Sequence, residues 1–96
     1  MIDWQWGNES RLTSGLDRCD PEHLDDLLDS LDLILDDPVG SVLAAPMQGT
    51  HDHVDRMVAV IAHGWVLVYS VYPDGIPPAT SRPTVVVRSF DKRFDG

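Results

Sequence analysis

The sequence predicts an α+β domain, with one or two helices on one face of a mostly antiparallel sheet. Three stretches carry that expectation. Residues 65–72 alternate strictly, with Trp65, Leu67, Tyr69 and Val71 on one side and Val66, Val68, Ser70 and Tyr72 on the other, the period of a strand. Leu24, Leu27, Leu28, Leu31, Ile34 and Leu35 recur at the spacing of one helical stripe. Thr84 to Arg88 is a β-branched run, suited to a pleated, half-buried surface. The 96 residues fit a single domain spanning the whole chain.

Taken in order, Ile2, Trp4 and Trp6 alternate with Asp3 and Gln5, so a first strand is expected with both tryptophans toward the core. Residues 8–19 are polar, and Leu12 and Leu16 permit a short first helix. The main helix is expected over about 21–36, with Asp20 as N-cap and Pro21 in the first turn, where its missing N–H costs nothing. Asp37-Pro38 ends it, since a residue before proline is driven from helical angles. Residues 38–55 read as irregular. Met57 to Ala62 reads as a buried strand, followed by a two-residue turn at His63-Gly64, both tolerant of positive φ. Four prolines between 73 and 83 mark a loop before the final strand at Thr84–Arg88, and 89–96 reads as a charged tail.

Charge is the strongest compositional signal. Sixteen acids face seven bases, a net of −9, and the excess is local. Residues 17–37 hold nine acids against Arg18 alone. Between 82 and 93 the sign reverses, with Arg82, Arg88, Lys92 and Arg93 opposed only by Asp91. A net negative field disfavours non-specific binding to nucleic acid. The single cysteine, Cys19, excludes an internal disulfide. No apolar run is long enough for a membrane span, and Met1 to Trp6 lacks the basic and apolar regions of a signal peptide. A cytoplasmic protein without membrane partners is expected.

Two charged surfaces are the candidates for binding. Arg56, Arg88, Lys92 and Arg93 form a basic set for target contact, and within the C-terminal run Arg82, Arg88, Lys92 and Arg93, with Phe90 and Phe94 interleaved, could hold phosphates and stack bases. Asp25, Asp26, Asp29, Asp32 and Asp36 crowd one face of the main helix. Their like-charge i,i+3 and i,i+4 pairs, with that of Glu22, cost about 1–3 kcal/mol together before screening. Either the face is kept for a basic partner or it is a solvated face in an acidic proteome. A third candidate is His51, His53 and Asp55, which share one side of an extended segment and could form an open zinc site. Arg56 stands where the HxHxDH run of metallo-hydrolases carries its last histidine, so a polar loop is expected there instead of a metal centre. Cys19 has no neighbouring histidine, no serine sits in a GxSxG elbow, and neither a Walker A loop nor GxGxxG occurs. No cofactor is expected.

The order of elements across about residues 2–93 resembles the RelE/ParE superfamily of toxin–antitoxin toxins. Leu31 to Pro38 is similar to the family's stop after its helical hairpin, and Met47-Gln48-Gly49 to the loop before its sheet. His63 to Val71 resembles its Gly-x-Tyr-Arg-Val-x-Tyr-x-Val strand, and Val85 to Arg88 its last core strand. The resemblance implies a βααβββ fold and a cognate antitoxin as partner. The family's mid-strand arginine falls on Val66, no lysine occupies the preceding strand, and Phe94 is the nearest aromatic to the family's final tyrosine. Ribonuclease members need such cations to stabilise the transition state, so binding is expected ahead of mRNA cleavage. The expectation from a different class is an acidic inhibitor, namely an immunity protein, antitoxin or anti-defence factor. It would cover a basic enzyme surface with the aspartate-rich helix.

Overall fold

The computed structural model describes residues 3–7, 9–46 and 56–94. It is an α+β fold of two helices and a five-stranded mixed sheet. The elements are β1 (Gln5–Gly7), α1 (Glu9–Arg18), a 3-10 turn (Pro21–His23), α2 (Leu24–Asp36), β2 (Ala44–Pro46), β3 (Arg56–Val60), β4 (Trp65–Tyr72) and β5 (Thr84–Lys92). The strand order is β1-β5-β4-β3-β2. Only the β1–β5 pair is parallel; the remaining pairs are antiparallel.

The core is where the alternation placed it. Trp65, Leu67, Tyr69 and Val71 of β4 are buried together with Met57 and Ala59 of β3 and Val85, Val87 and Phe90 of β5. Leu12 from α1 and Leu27, Leu31 and Ile34 from α2 complete the cluster. The apolar stripe on α2 is narrower than the sequence suggests, because Leu28 is 40% exposed. Trp4 is buried, whereas Trp6 only packs against the margin.

Several expectations need correction. The stretch 38–55 is not wholly irregular, for Ala44–Pro46 pairs with Met57–Ala59 as an extra edge strand. Three residues are too few to show a period. The charged segment after Arg88 is not a tail: Ser89 to Lys92 pair with Trp65 to Val68. The break in alternation between Val87 and Phe90 hides this, and its cause is a β-bulge. Val68 pairs with Ser89 and Tyr69 with Val87, so Arg88 is the extra residue. The insertion restores Phe90 to the buried side. The turn at His63-Gly64 has three residues, Ala62 to Gly64, closed by Ile61 N–H donating to the Trp65 carbonyl at 2.8 Å. The predicted positive φ occurs at both His63 (59°) and Gly64 (77°). Asp20 sits at the cap position, but it caps the 3-10 turn without a side-chain hydrogen bond, and α2 itself starts at Leu24.

The exit from α2 is anchored from the sheet. The Tyr69 hydroxyl, wholly buried, donates to the carbonyl of Pro38. Asp37 Oδ1 accepts from the Gly40 N–H at 3.0 Å, which turns the chain away. Burial first, and the Asp37 charge second, push the Tyr69 pKa up to about 12. The unfolded chain loses this proton near pH 10. The stabilisation is therefore complete below pH 10 and lost as pH rises to about 12, up to roughly 2–3 kcal/mol. Urea titrations across pH 9–12 should show this loss, and Tyr69→Phe should remove its share while costing about 1–2 kcal/mol at neutral pH. A second test uses Gly15, which packs against the buried Phe90 ring. In an exposed helix, Gly→Ala gains about 1 kcal/mol. Gly15→Ala should instead destabilise by about 1–3 kcal/mol in urea denaturation, because the new methyl meets that ring.

Candidate functional site

The sheet has two unlike faces. One is covered by α1 and α2. The other carries Val58, Val60, Val66, Val68 and Val86, of which Val60 is 54% exposed and the other four half-buried. Among the described residues no element packs across it. At one end of this open face lies a polar group built on three strands. Arg56 of β3 is the strand partner of Ser70 in β4, and Ser70 is the partner of Val86 in β5. Cross-strand partners share a face, so Arg56 stands beside Ser70. Arg88 reaches Ser70 from the other side, its Nε donating to Ser70 Oγ at 3.0 Å and its Nη2 to the Tyr72 hydroxyl at 3.0 Å. Arg88 follows the inward-facing Val87 and so points outward, and the bulge that begins at it returns Phe90 to the inner face.

Arg88 is thus held by two hydroxyls in a chain rich in carboxylates, yet it pairs with no carboxylate among the described residues. Other arginines do pair: Arg18 with Asp91 at 3.2 Å and Arg82 with Asp3 at 2.9 Å. Arg93 lies 3.8 Å from Asp91. The basic set expected from sequence is therefore split. Arg56 and Arg88 flank Ser70, whereas Lys92 is the partner of the buried Trp65 and lies on the helix-packed side. Phe90 is buried and cannot stack on a base, while Phe94 is 56% exposed.

The acidic helix is as open as its pattern implies. Asp25, Asp26, Asp29, Asp32 and Asp36 are all exposed. Of these five, Asp26 alone has a salt-bridge partner among the described residues, with its Oδ2 2.7 Å from His63 Nε2. The His63 ring stacks on that of His23, centroids 3.6 Å apart and nearly parallel. This joins the start of α2 to the β3–β4 turn, a contact between residues 40 positions apart that no local pattern announces. His51, His53 and Asp55 lie outside the described residues, as do Met47, Gln48 and Gly49. Among the described residues no group of three His, Cys, Asp or Glu could hold a metal.

Beyond the sheet faces, a polar cleft of about 320 Å³ opens beside Cys19, His23, Trp65 and Lys92. A second, of about 260 Å³, runs between α1 and the outer edge of β5. Along that edge β1 pairs with Thr84 to Val86. Two arginines of α1 cover it: Arg11 Nη1 donates to the Arg88 carbonyl at 2.7 Å and Arg18 Nη2 to the Phe90 carbonyl at 3.2 Å. Seven positions apart on a helix, they reach carbonyls two positions apart on the strand. Exposed strand edges invite pairing with other chains, and here the first helix blocks the site.

Sequence reading found Arg56 and Arg88 but missed Ser70 and Tyr72, which orient Arg88. The available signal was a lone serine at an outward position in the middle of an apolar strand. No helix among the described residues is long and apolar enough to cross a membrane. No family model, curated protein or solved structure matches the chain.

The aspartates of α2 lend themselves to a stability test. Asp29→Asn, Asp32→Asn and Asp36→Asn together remove three carboxylates that repel their i±3 and i±4 neighbours, and one of these also opposes the helix dipole. The triple variant should be more stable by about 1 kcal/mol at low salt in urea denaturation, with the gain shrinking in 1 M salt.

Proposed function

We propose that this chain acts by binding another macromolecule, as the toxin-fold member of a toxin–antitoxin pair of RelE/ParE type. The observation that carries the reading is the open sheet face, on which Arg56 and Arg88 flank Ser70 above a floor of valines. The strand–helix–helix–strand order agrees with the resemblance, and β3, β4 and β5 together form the platform for these cations. Contact is assigned to Arg56 and Arg88 first. Lys92 stands on the other side of the sheet and Arg93 is near Asp91, so both are secondary. A protein target suits this surface better than nucleic acid, because two guanidinium groups neutralise few phosphates and the chain is −9 overall.

A second reading is favoured by a different observation. The exposed aspartates of α2, all but Asp26 without a salt bridge among the described residues, form a face fit for a basic enzyme surface. An immunity protein or other acidic inhibitor would use it. Both readings place the protein in the cytoplasm beside its partner.

Controlled expression in a bacterial host separates the two. Under the first reading the chain arrests growth, and Arg56→Ala with Arg88→Ala restores colony counts at least tenfold while thermal denaturation shows the fold intact. Under the second the chain is harmless, and replacing the five aspartates by asparagine abolishes inhibition of the basic target. Undiminished arrest by the double arginine variant would overturn the first reading.

A further inference from the structure

We infer that the Arg88 end of the open sheet face is a receptor for a carboxylate on a partner protein, presented within an aliphatic segment. The inference rests on the binding reading above and names the chemistry of its ligand. Arg88 is fixed from two sides, Nε on Ser70 Oγ and Nη2 on the Tyr72 hydroxyl. Using Nε in this way closes the side of the guanidinium and leaves its outer end for a ligand. Holding the group in place before binding removes most of the side-chain entropy that an arginine loses on forming an ion pair. The Tyr72 hydroxyl accepts from Arg88, so its own proton is free to donate. Arg56 stands across β4, its Cα two strand spacings, or about 10 Å, from the β5 backbone.

The surroundings select among oxyanions. A planar guanidinium takes a carboxylate or a phosphate equally well. The floor beside it consists of Val66, Val68, Val86 and Val58, which rewards an apolar body attached to the anion. Nucleic acid would require a run of cations along its backbone and aromatic platforms for its bases. Here Phe90 is buried, Arg56 stands a strand away across β4, and Lys92 and Arg93 are at the far end of β5, so the cations form no continuous run. The acidic helix does not forbid an anion on this face. It lies across the sheet, with the width of a helix, roughly 10 Å, in between, beyond the Debye length of about 8 Å at physiological salt. A glutamate or aspartate flanked by aliphatic residues satisfies both the cation and the floor.

The test is selection of a random displayed-peptide library on the immobilised full chain, in parallel with its Arg88→Gln variant. A 20-nucleotide single-stranded DNA is titrated separately. Enrichment of sequences with an acidic residue between aliphatic ones is expected. Selected peptides should bind at least tenfold more weakly to Arg88→Gln and when their acidic residue becomes its amide. The variant should keep its thermal transition, and Tyr72→Phe should weaken binding without abolishing it. Enrichment of basic sequences only, enrichment indifferent to Arg88→Gln, no enrichment, or tighter binding of the DNA than of any peptide would each overturn the inference. Failure of the broader reading looks different: an Arg88-dependent acidic motif in a chain that leaves growth untouched retains the receptor and removes the toxin.

Discussion

Burial of one side of β4 is the constraint on which the other elements depend. Trp65, Leu67, Tyr69 and Val71 are all nearly or wholly inaccessible. A register slip of one residue would exchange them for Val66, Val68, Ser70 and Tyr72. The central strand is therefore fixed in phase, and its neighbours must present apolar groups at matching positions. β3 does so with Met57 and Ala59. β5 does so with Val85 and Val87, then steps by three to Phe90, and the bulge at Arg88 absorbs the extra residue. Arg88, next to the inward Val87, faces outward with the alternation and turns its guanidinium back to Ser70 and Tyr72. The phase that buries Val85 and Val87 thus also puts Arg88 on the open face.

The acidic face of α2 is set by what the helix buries. α2 spends Leu27, Leu31 and Ile34 on the core, which leaves its aspartates no direction but outward. They gain little compensation, since the contact to His63 engages Asp26 alone. The basic side chains are used elsewhere. Arg18 and Arg93 meet Asp91, Arg82 meets Asp3, and Arg11 covers a strand carbonyl. Arg18, Arg82 and Arg93 are thus engaged away from the aspartates of α2. Repulsion along α2 works against helix stability, yet the three buried side chains outweigh it, at about 1.5–3 kcal/mol each.

The edges of the sheet follow a similar economy of means. β1 protects only Thr84 to Val86, and the remaining outer edge of β5 is met by guanidinium groups from α1. On the β3–β4 side, the Gly64 carbonyl accepts from the N–H groups of Arg93 and Phe94 at 2.9 and 3.1 Å. The end of β5 is thereby tied to the turn that carries His63. Arg11 and Arg18 read in sequence as scattered charges, and their role is legible only with the strand beside them.

Local pattern determined a good deal by itself. The α+β class, the stripe of α2 and its end at Pro38, the phase of β4 and the positive-φ turn all follow from periods and backbone preferences acting over a few residues. Arg56 and Arg88 could be singled out from charge alone, as could the acidic helix. Tertiary structure decided what depends on a partner distant in the chain. The parallel docking of β1 on β5 and the pairing of Ala44–Pro46 with β3 are such cases. So are the bulge that carries β5 on to Lys92, the His23–His63 stack and the separation of Lys92 from Arg88. A strand of three residues has no readable period, and a bulge erases the period of a longer one. Each is set by hydrogen-bonding groups on another strand that must be satisfied, and a sequence read from end to end does not display them.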